Sequence, residues 1–292
     1  MKKFNIVTGV DIGGTHITAC KVNIQMGNVL EKTRIRLDIN ANQDAEQVIE
    51  IWSSAIRKAS AIDDFPLMPI GIAMPGPFDY EKGISLISGL HKYEKMFGVN
   101  IKDRLASALQ ISPDQIRMIN DATAYLLGEI SFATTLSDEN IVGVTLGTGL
   151  GSAVYRNGNI EEGDLWSMPY KDRRAEDYLS ARWLVKTFGL KAGSPICNVR
   201  ELAVLASKGD EVAISVFIEF GTCLADVLMK RYGSTSYFPS VIIVGGNIAK
   251  AWDFFALPCL TSLRKSFPNT RLLCAQRGED AALMGAAYLW ND

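Results

Sequence analysis

Asp11 closes the apolar run in "VTGVDIGGTHITAC" (residues 7–20) and is followed, one residue on, by Gly13, Gly14 and Thr15. Glycines at a strand end let backbone N–H groups converge on an anion with no Cβ in the way, and a threonine hydroxyl adds a donor. Phosphate is the natural guest. The pattern returns in "VGVTLGTGLGSAVYRNG", where Gly147, Thr148 and Gly149 follow a second apolar run, and a third glycine pair stands at Gly245-Gly246-Asn247. One such loop alone reads more readily as a hairpin turn, but two matched loops and a third favour phosphate. A carboxylate beside phosphate is repelled unless a cation intervenes, so Asp11 reads as a magnesium ligand, direct or through water, or else as an acid capping the turn. The second acid of interest is Asp121 in "INDATAYLLGE". It ends a strand and opens a helix, a position suited both to capping and to accepting a hydroxyl proton.

Other chemistries fit poorly. "GTGLGSA" is not G-x-G-x-x-G, a β-run follows where a dinucleotide loop needs a helix, and no G-x-x-x-x-G-K-[ST] occurs. With only two histidines, His16 and His91, the chain can hardly supply Ser-His-Asp hydrolysis or a His-rich zinc site. Proton transfer falls to a carboxylate. Five scattered cysteines (Cys20, Cys197, Cys223, Cys259, Cys274) show no zinc-ligand spacing and read as reduced core thiols. A formal net charge of -2 with no basic stripe argues against nucleic acid. No run approaches the roughly 18 apolar residues of a membrane span; "MKKFNIVTGVD" reads as a first strand rather than a leader, and a cytoplasmic protein is expected.

These residues must be positioned by a sizeable scaffold. At 292 residues, 48% hydrophobic and 21% charged, the whole chain should fold, and two lobes are expected. Residues 4–36 predict a three-stranded meander with turns at Gly13-Gly14 and Gly27-Asn28. A helix follows, with Val48, Ile51, Trp52 and Ile56 on one face, then a strand halted by Pro75 and Gly76. Setting Gly9–Gly13 against Gly143–Gly147 brings Ala19 onto Ala153 without a gap, so strand, glycine turn and strand occur once in each half. Beyond the second copy the chain is mostly helical, with a long helix capped by Asp210 and stopped by Gly233, a buried strand at "SVIIVGGNIA", and a closing helix of small residues at "EDAALMGAAYLW".

In order and spacing these segments resemble the ROK (repressor, open reading frame, kinase) family of sugar kinases and sugar-responsive regulators, within the actin and hexokinase-like ATPases. The likeness lies in "GVDIGGTHI", "GIAMPGPFDYEKGI", "INDATAYLLGE", "TLGTGLGSA", "VIIVGGNIA" and "EDAALMGAA". It implies an α/β, two-lobed ribonuclease H-like (actin-like ATPase) fold, each lobe a mixed β-sheet flanked by helices, with the active site in the interlobe cleft. Residues 1–120 would form the N-terminal lobe, with the helix at about 279–292 packing back on it, and 121–278 the larger C-terminal lobe. Carried over by position, Asp121 would be the general base, and Asn120, Pro75, Gly76, Asp164, Ser167 and Glu176 would hold the sugar. Asp11 would serve magnesium, while Gly13, Gly14, Thr15, Gly147, Thr148, Gly149, Gly245, Gly246 and Asn247 would hold ATP.

The implied activity is ATP-dependent phosphorylation of a hexose or N-acetylhexosamine at the 6-hydroxyl, with polyphosphate the alternative donor and a homodimer expected by analogy. One segment departs from the family. Where relatives carry Gly-Glu-x-Gly-His and a CxCGxxGCxE zinc loop, this chain reads "EGDLWSMPYKDRRAEDYLS", with Asp164 for the Glu, Ser167 for the His and no cysteines. No structural zinc is expected, and Glu176 alone keeps the sugar-binding acid. The altered loop leaves one rival, a sugar-binding regulator that has lost catalysis; with the first strand beginning by residue 4, no DNA-binding module fits. An actin-like or chaperone-like ATPase would share the glycine loops but not the PGP and Asn-Asp-Ala segments.

Overall fold

The first apolar run and its return form β1 (Ile6–Ile12) and β2 (His16–Asn23), an antiparallel hairpin in which Ile12 faces Ile17. The computed structural model describes residues 4–61, 69–89, 92–131, 139–233 and 239–291; His91 lies outside them. The third strand of the expected meander is broken. β3 (Asn28–Val29) and β4 (Ile35–Asp38) each pair with β2 and are separated by a 3₁₀ turn at Glu31–Thr33. Thr33 causes the break: its buried hydroxyl accepts from the Lys21 N–H and donates to the Leu30 carbonyl, both at 2.8 Å, offering the backbone an alternative to a continuous ladder. α1 (Ala45–Ala61) turns Val48, Trp52 and Ile56 into the core, with Ile51 only partly covered. β5 (Ile70–Met74) lies parallel to β1 and is buried along its length, as a central strand covered on both faces must be. Past Pro75, β6 (Phe78–Asp79) and β7 (Ile84–Ser85) make a small hairpin, and α2 (Ile101–Leu109) starts at an Asn100 cap. β8 (Ile116–Asn120) runs parallel to β5 and passes without a loop into α3 (Asp121–Ile130).

The second half repeats the plan. β9 (Ile141–Leu146) and β10 (Leu150–Arg156) are antiparallel, with β11 (Asn159–Glu162) beyond them. β12 (Pro169–Tyr170) and β13 (Arg173–Arg174) form a separate ribbon before α4 (Ala181–Ala192), α5 (Val199–Ser207) and α6 (Glu211–Tyr232). β14 (Val241–Gly245), α7 (Trp252–Arg264) and β15 (Arg271–Cys274) complete a sheet ordered β11-β10-β9-β14-β15. Its hairpin followed by two parallel neighbours matches the order β3-β2-β1-β5-β8 of the first sheet. The gapless alignment nevertheless slips, because four residues lie between paired Ile12 and Ile17 and three between paired Leu146 and Leu150.

α6 corrects the expectation that no run is apolar enough for a membrane span, since by length and composition it qualifies. Its apolar length serves a core instead. Val216, Phe217, Phe220 and Leu224 are fully buried, and Phe220 meets Phe255 of α7 edge-on at 5.6 Å. The Asp210 side chain caps it through the Ala213 N–H at 2.8 Å, as predicted. The cysteines are all free, but only Cys20, Cys223 and Cys259 are core thiols; Cys197 is exposed and Cys274 half-buried.

α8 (Asp280–Tyr288) ends the fold. Two compact units result, Met1–Thr134 with Glu279–Asp292, and Thr135–Gly278. The sequence reading places the change of lobe after residue 120, whereas α3 counts with the first unit because it packs on α8. Their backbones touch. A Cβ on Gly128 would strike the Ala281 carbonyl and one on Gly285 the Ala124 carbonyl; Gly9 and Gly71 admit α8 to the sheet in the same way. Gly128→Ala is therefore expected to cost about 3 kcal/mol, seen as a lower urea midpoint. Gly147→Ala, where the added methyl meets nothing within 4 Å, should cost less than about 0.5 kcal/mol.

Candidate functional site

In the first unit the end of β1 and the start of α3 carry the two acids. The sequence offers Asp121 as a helix cap, but Asn120 does the capping: its Oδ1 accepts the N–H groups of Ala122 at 2.9 Å and Thr123 at 3.2 Å. Asp121 is thereby the first helical residue, and one oxygen accepts from the Ala122 N–H at 2.8 Å. Burial pushes its carboxyl above the usual range, against the opposing charge of Lys92 and the Ala122 hydrogen bond. Asp11 is pushed up to about 7, first by burial and then by the Asp121 charge, with Arg36 opposing and Glu279 adding. The two acids thus stand close enough to titrate against each other.

Around them the structure gathers most of the predicted residues of this unit. Asn120 Nδ2 donates to the Tyr80 hydroxyl at 3.2 Å, which in turn donates to the Met74 carbonyl at 2.9 Å. Gly76 closes on the same pair, since a Cβ there would lie 3.1 Å from the Tyr80 hydroxyl and 3.9 Å from Asn120 Nδ2; Pro75 is buried beside it. The first glycine turn is closed by the Gly13 N–H donating to the His16 carbonyl at 2.9 Å, and Thr15 Oγ1 lies 3.1 Å from His16 Nδ1. Its floor is Tyr93, whose hydroxyl donates to the Gly13 carbonyl at 2.5 Å and is held protonated by burial and by the Asp11 charge. Tyr80, Lys92 and Tyr93 escape the sequence reading. Tyr80 stands inside the quoted PGP segment, but nothing in "HKYEKM" marks its neighbours.

The second unit brings together the other two glycine motifs. β14 runs parallel to β9 with Gly245 opposite Thr145, and Gly246 adopts a φ of 84° where a Cβ would strike the Leu146 carbonyl, a position only glycine fills well. The turn itself is closed by the Gly147 N–H donating to the Gly149 carbonyl at 3.0 Å, with Thr148 exposed at its tip. Glu176 belongs to this turn: its Oε2 accepts from the Leu150 N–H at 3.0 Å, and a Cβ on Gly149 would strike it. Asp164 and Ser167 lie together at an exposed turn, where the Ser167 hydroxyl donates to the Asp164 carbonyl at 3.3 Å. Asn247 Oδ1 accepts from Lys250 Nζ at 2.9 Å.

A magnesium ion fits the first unit's donor set. Asp11 is a hard oxygen donor beside a second acid, and no described group of three or more acids, histidines or cysteines could cage a metal alone. One carboxylate supplemented by phosphate and water is the usual magnesium arrangement.

Known proteins share this architecture. The sequence profile described as the ROK family matches residues 7–165 and 175–292. A glucokinase of Thermotoga maritima is 28% identical over 325 residues, covering 99% of this chain and 98% of its own. An N-acetylmannosamine kinase of Haemophilus influenzae is 23% identical over 302 residues, covering 97% and 94%. The crystal structure of a ROK family glucokinase from Streptomyces griseus in complex with glucose and AMPPNP superposes with a TM-score of 0.75 at 24% identity, covering 97% of this chain and 98% of that one.

The acid pair has a consequence for stability. Asp11 titrates near 7 when folded against an ordinary 3.8, so its ionisation opposes folding. That penalty vanishes below about pH 4 and is complete above about pH 7. Asp11→Asn should raise the melting temperature of the ligand-free protein by about 3 °C or more at pH 8, with the gain shrinking as pH falls towards 4, read by calorimetry across that range.

Proposed function

Because this chain belongs to the ROK family, we propose that it is a sugar kinase, transferring the γ-phosphoryl group of ATP to the 6-hydroxyl of a hexose or N-acetylhexosamine. The observation that carries the reading is the division of labour at the start of α3. Asn120 takes the capping bonds, and Asp121, which shares only the Ala122 N–H with it, keeps a carboxylate whose proton affinity is raised. A carboxylate of raised proton affinity is a better acceptor for a hydroxyl proton than an ordinary one.

In the proposed reaction the sugar oxygen attacks the γ-phosphorus, its proton passes to Asp121, and the bond to the β-phosphate oxygen breaks with its electron pair leaving on ADP. The work is positioning and charge neutralisation. Gly13, Gly14, Thr15, Gly147, Thr148, Gly149, Gly245, Gly246 and Asn247 would border the nucleotide, with Gly13 and Gly147 closing their own turns. Asp11 would hold magnesium, directly or through water, and the ion would supply counter-charge to the phosphates. Asn120, with Pro75 and Gly76, would border the sugar, as would Glu176, Asp164 and Ser167. Glu176 already accepts from the Leu150 N–H, so it would orient the second glycine turn as well. The reading also places the protein in the cytoplasm as a homodimer.

The purified chain with MgATP and a panel of hexoses and N-acetylhexosamines should release ADP above a sugar-free control. Asp121→Asn should lower kcat at least about 100-fold while sugar affinity stays within about threefold by calorimetry. Sugar binding without ADP release by the unaltered chain would favour the regulator instead.

A further inference from the structure

Lys92 belongs to no motif, yet the fold carries it to the first glycine turn. A Cβ on Gly14 would stand 3.9 Å from Lys92 Cδ, so the lysine stem runs alongside the turn. Its charge is also the foremost influence opposing the rise in the Asp121 carboxyl, so the ammonium is near enough for that acid to feel it. Lys92 is half-buried, and no described carboxylate forms an ion pair with it. A cation withdrawn from water with no fixed partner has charge to offer a ligand.

The next residue explains how it is held there. Tyr93 is fully buried with φ 55°, a left-handed conformation that costs a bulky side chain about 1–2 kcal/mol and persists only where the surroundings impose it. Three contacts impose it. The Tyr93 N–H donates to the Ala41 carbonyl at 3.0 Å, its hydroxyl donates to the Gly13 carbonyl, and its ring meets Trp52 edge-on at 5.5 Å. The segment is thereby tied to the same turn that Lys92 borders, so the lysine leaves the chain from a fixed point.

We propose that Lys92 is a further catalytic residue, binding the γ-phosphoryl oxygens of the nucleotide and stabilising their charge during transfer. The proposal rests on the kinase reading. A cation whose stem borders the first glycine turn and whose charge is felt by the base can reach phosphoryl oxygens held at that turn. There the ammonium keeps its proton and balances the charge on the three non-bridging oxygens, while the hydroxyl proton goes to Asp121 and ADP departs with the bonding pair.

Lys92→Met and Lys92→Arg in the full chain test this against AMP-PNP and ADP with magnesium, by calorimetry. Lys92→Met should weaken AMP-PNP about tenfold and ADP less than about twofold, while Lys92→Arg keeps most of the AMP-PNP affinity. With glucose or N-acetylglucosamine as acceptor, kcat of Lys92→Met should fall about 10- to 100-fold, with the sugar KM within about threefold. Equal weakening of both nucleotides, or a loss confined to the sugar KM, overturns the proposal. If the unaltered chain phosphorylates no sugar, the kinase reading fails, but the comparison of AMP-PNP with ADP still decides whether Lys92 meets the terminal phosphoryl group.

Discussion

Contact between two helix backbones, with no side chain interposed, is the constraint on which the first unit depends. Gly128 and Gly285 let α3 and α8 approach until each meets the other's carbonyls, and Gly9 and Gly71 seat α8 on β1 and β5. Such an interface has little freedom to slide, because any added atom collides with backbone that cannot rotate away. α3 follows β8 with no connecting residue, so fixing its axis also fixes where Asp121 stands. The last helix of the chain thus determines the direction of a carboxylate more than a hundred and fifty positions earlier.

Electrostatics run against that packing. Asp11 and Asp121 raise each other's cost of ionising and are partly dehydrated, and among the described residues neither has an ion-pair partner, so the ligand-free fold carries unfavourable charge where its backbone is tightly fixed. The left-handed Tyr93 adds conformational strain at the same turn. Proteins tolerate such local cost where the surrounding structure over-determines it and a guest relieves it. In the second unit the balance differs: Glu176 satisfies a backbone N–H, and the glycine motifs rest against the end of β9.

Local chemistry explains what could be read from the residues alone. A strand ending in an acid and two glycines has few conformations open to it, so both hairpins, the third glycine pair and the duplicated order of strands were legible. The Asp210 cap was too, because an aspartate before an apolar helical run has one obvious task. Where two adjacent residues could each do that task, the sequence did not choose: Asn120 and Asp121 are both good caps, and only the chain's direction out of β8 selects Asn120. The broken third strand turns on one hydroxyl of Thr33 finding Lys21 across the sheet, a long-range bond with no local signal. α6 was mistaken in the other direction, its apolar length being visible but underrated. Tyr80, Lys92 and Tyr93 lay beyond reach because their positions follow from tertiary contacts, and a left-handed tyrosine has no compositional signature.

The unequal turns bear on descent. A residue's side on a strand alternates, so replacing the four-residue bend after Ile12 by the three-residue bend after Leu146 would invert the returning strand, exchanging Ile17 and Ala19 with Cys20 and Val22 between two buried faces. The two halves keep a common blueprint but have ceased to be interchangeable parts. If one duplication produced both halves, one bend has since gained or shed a residue.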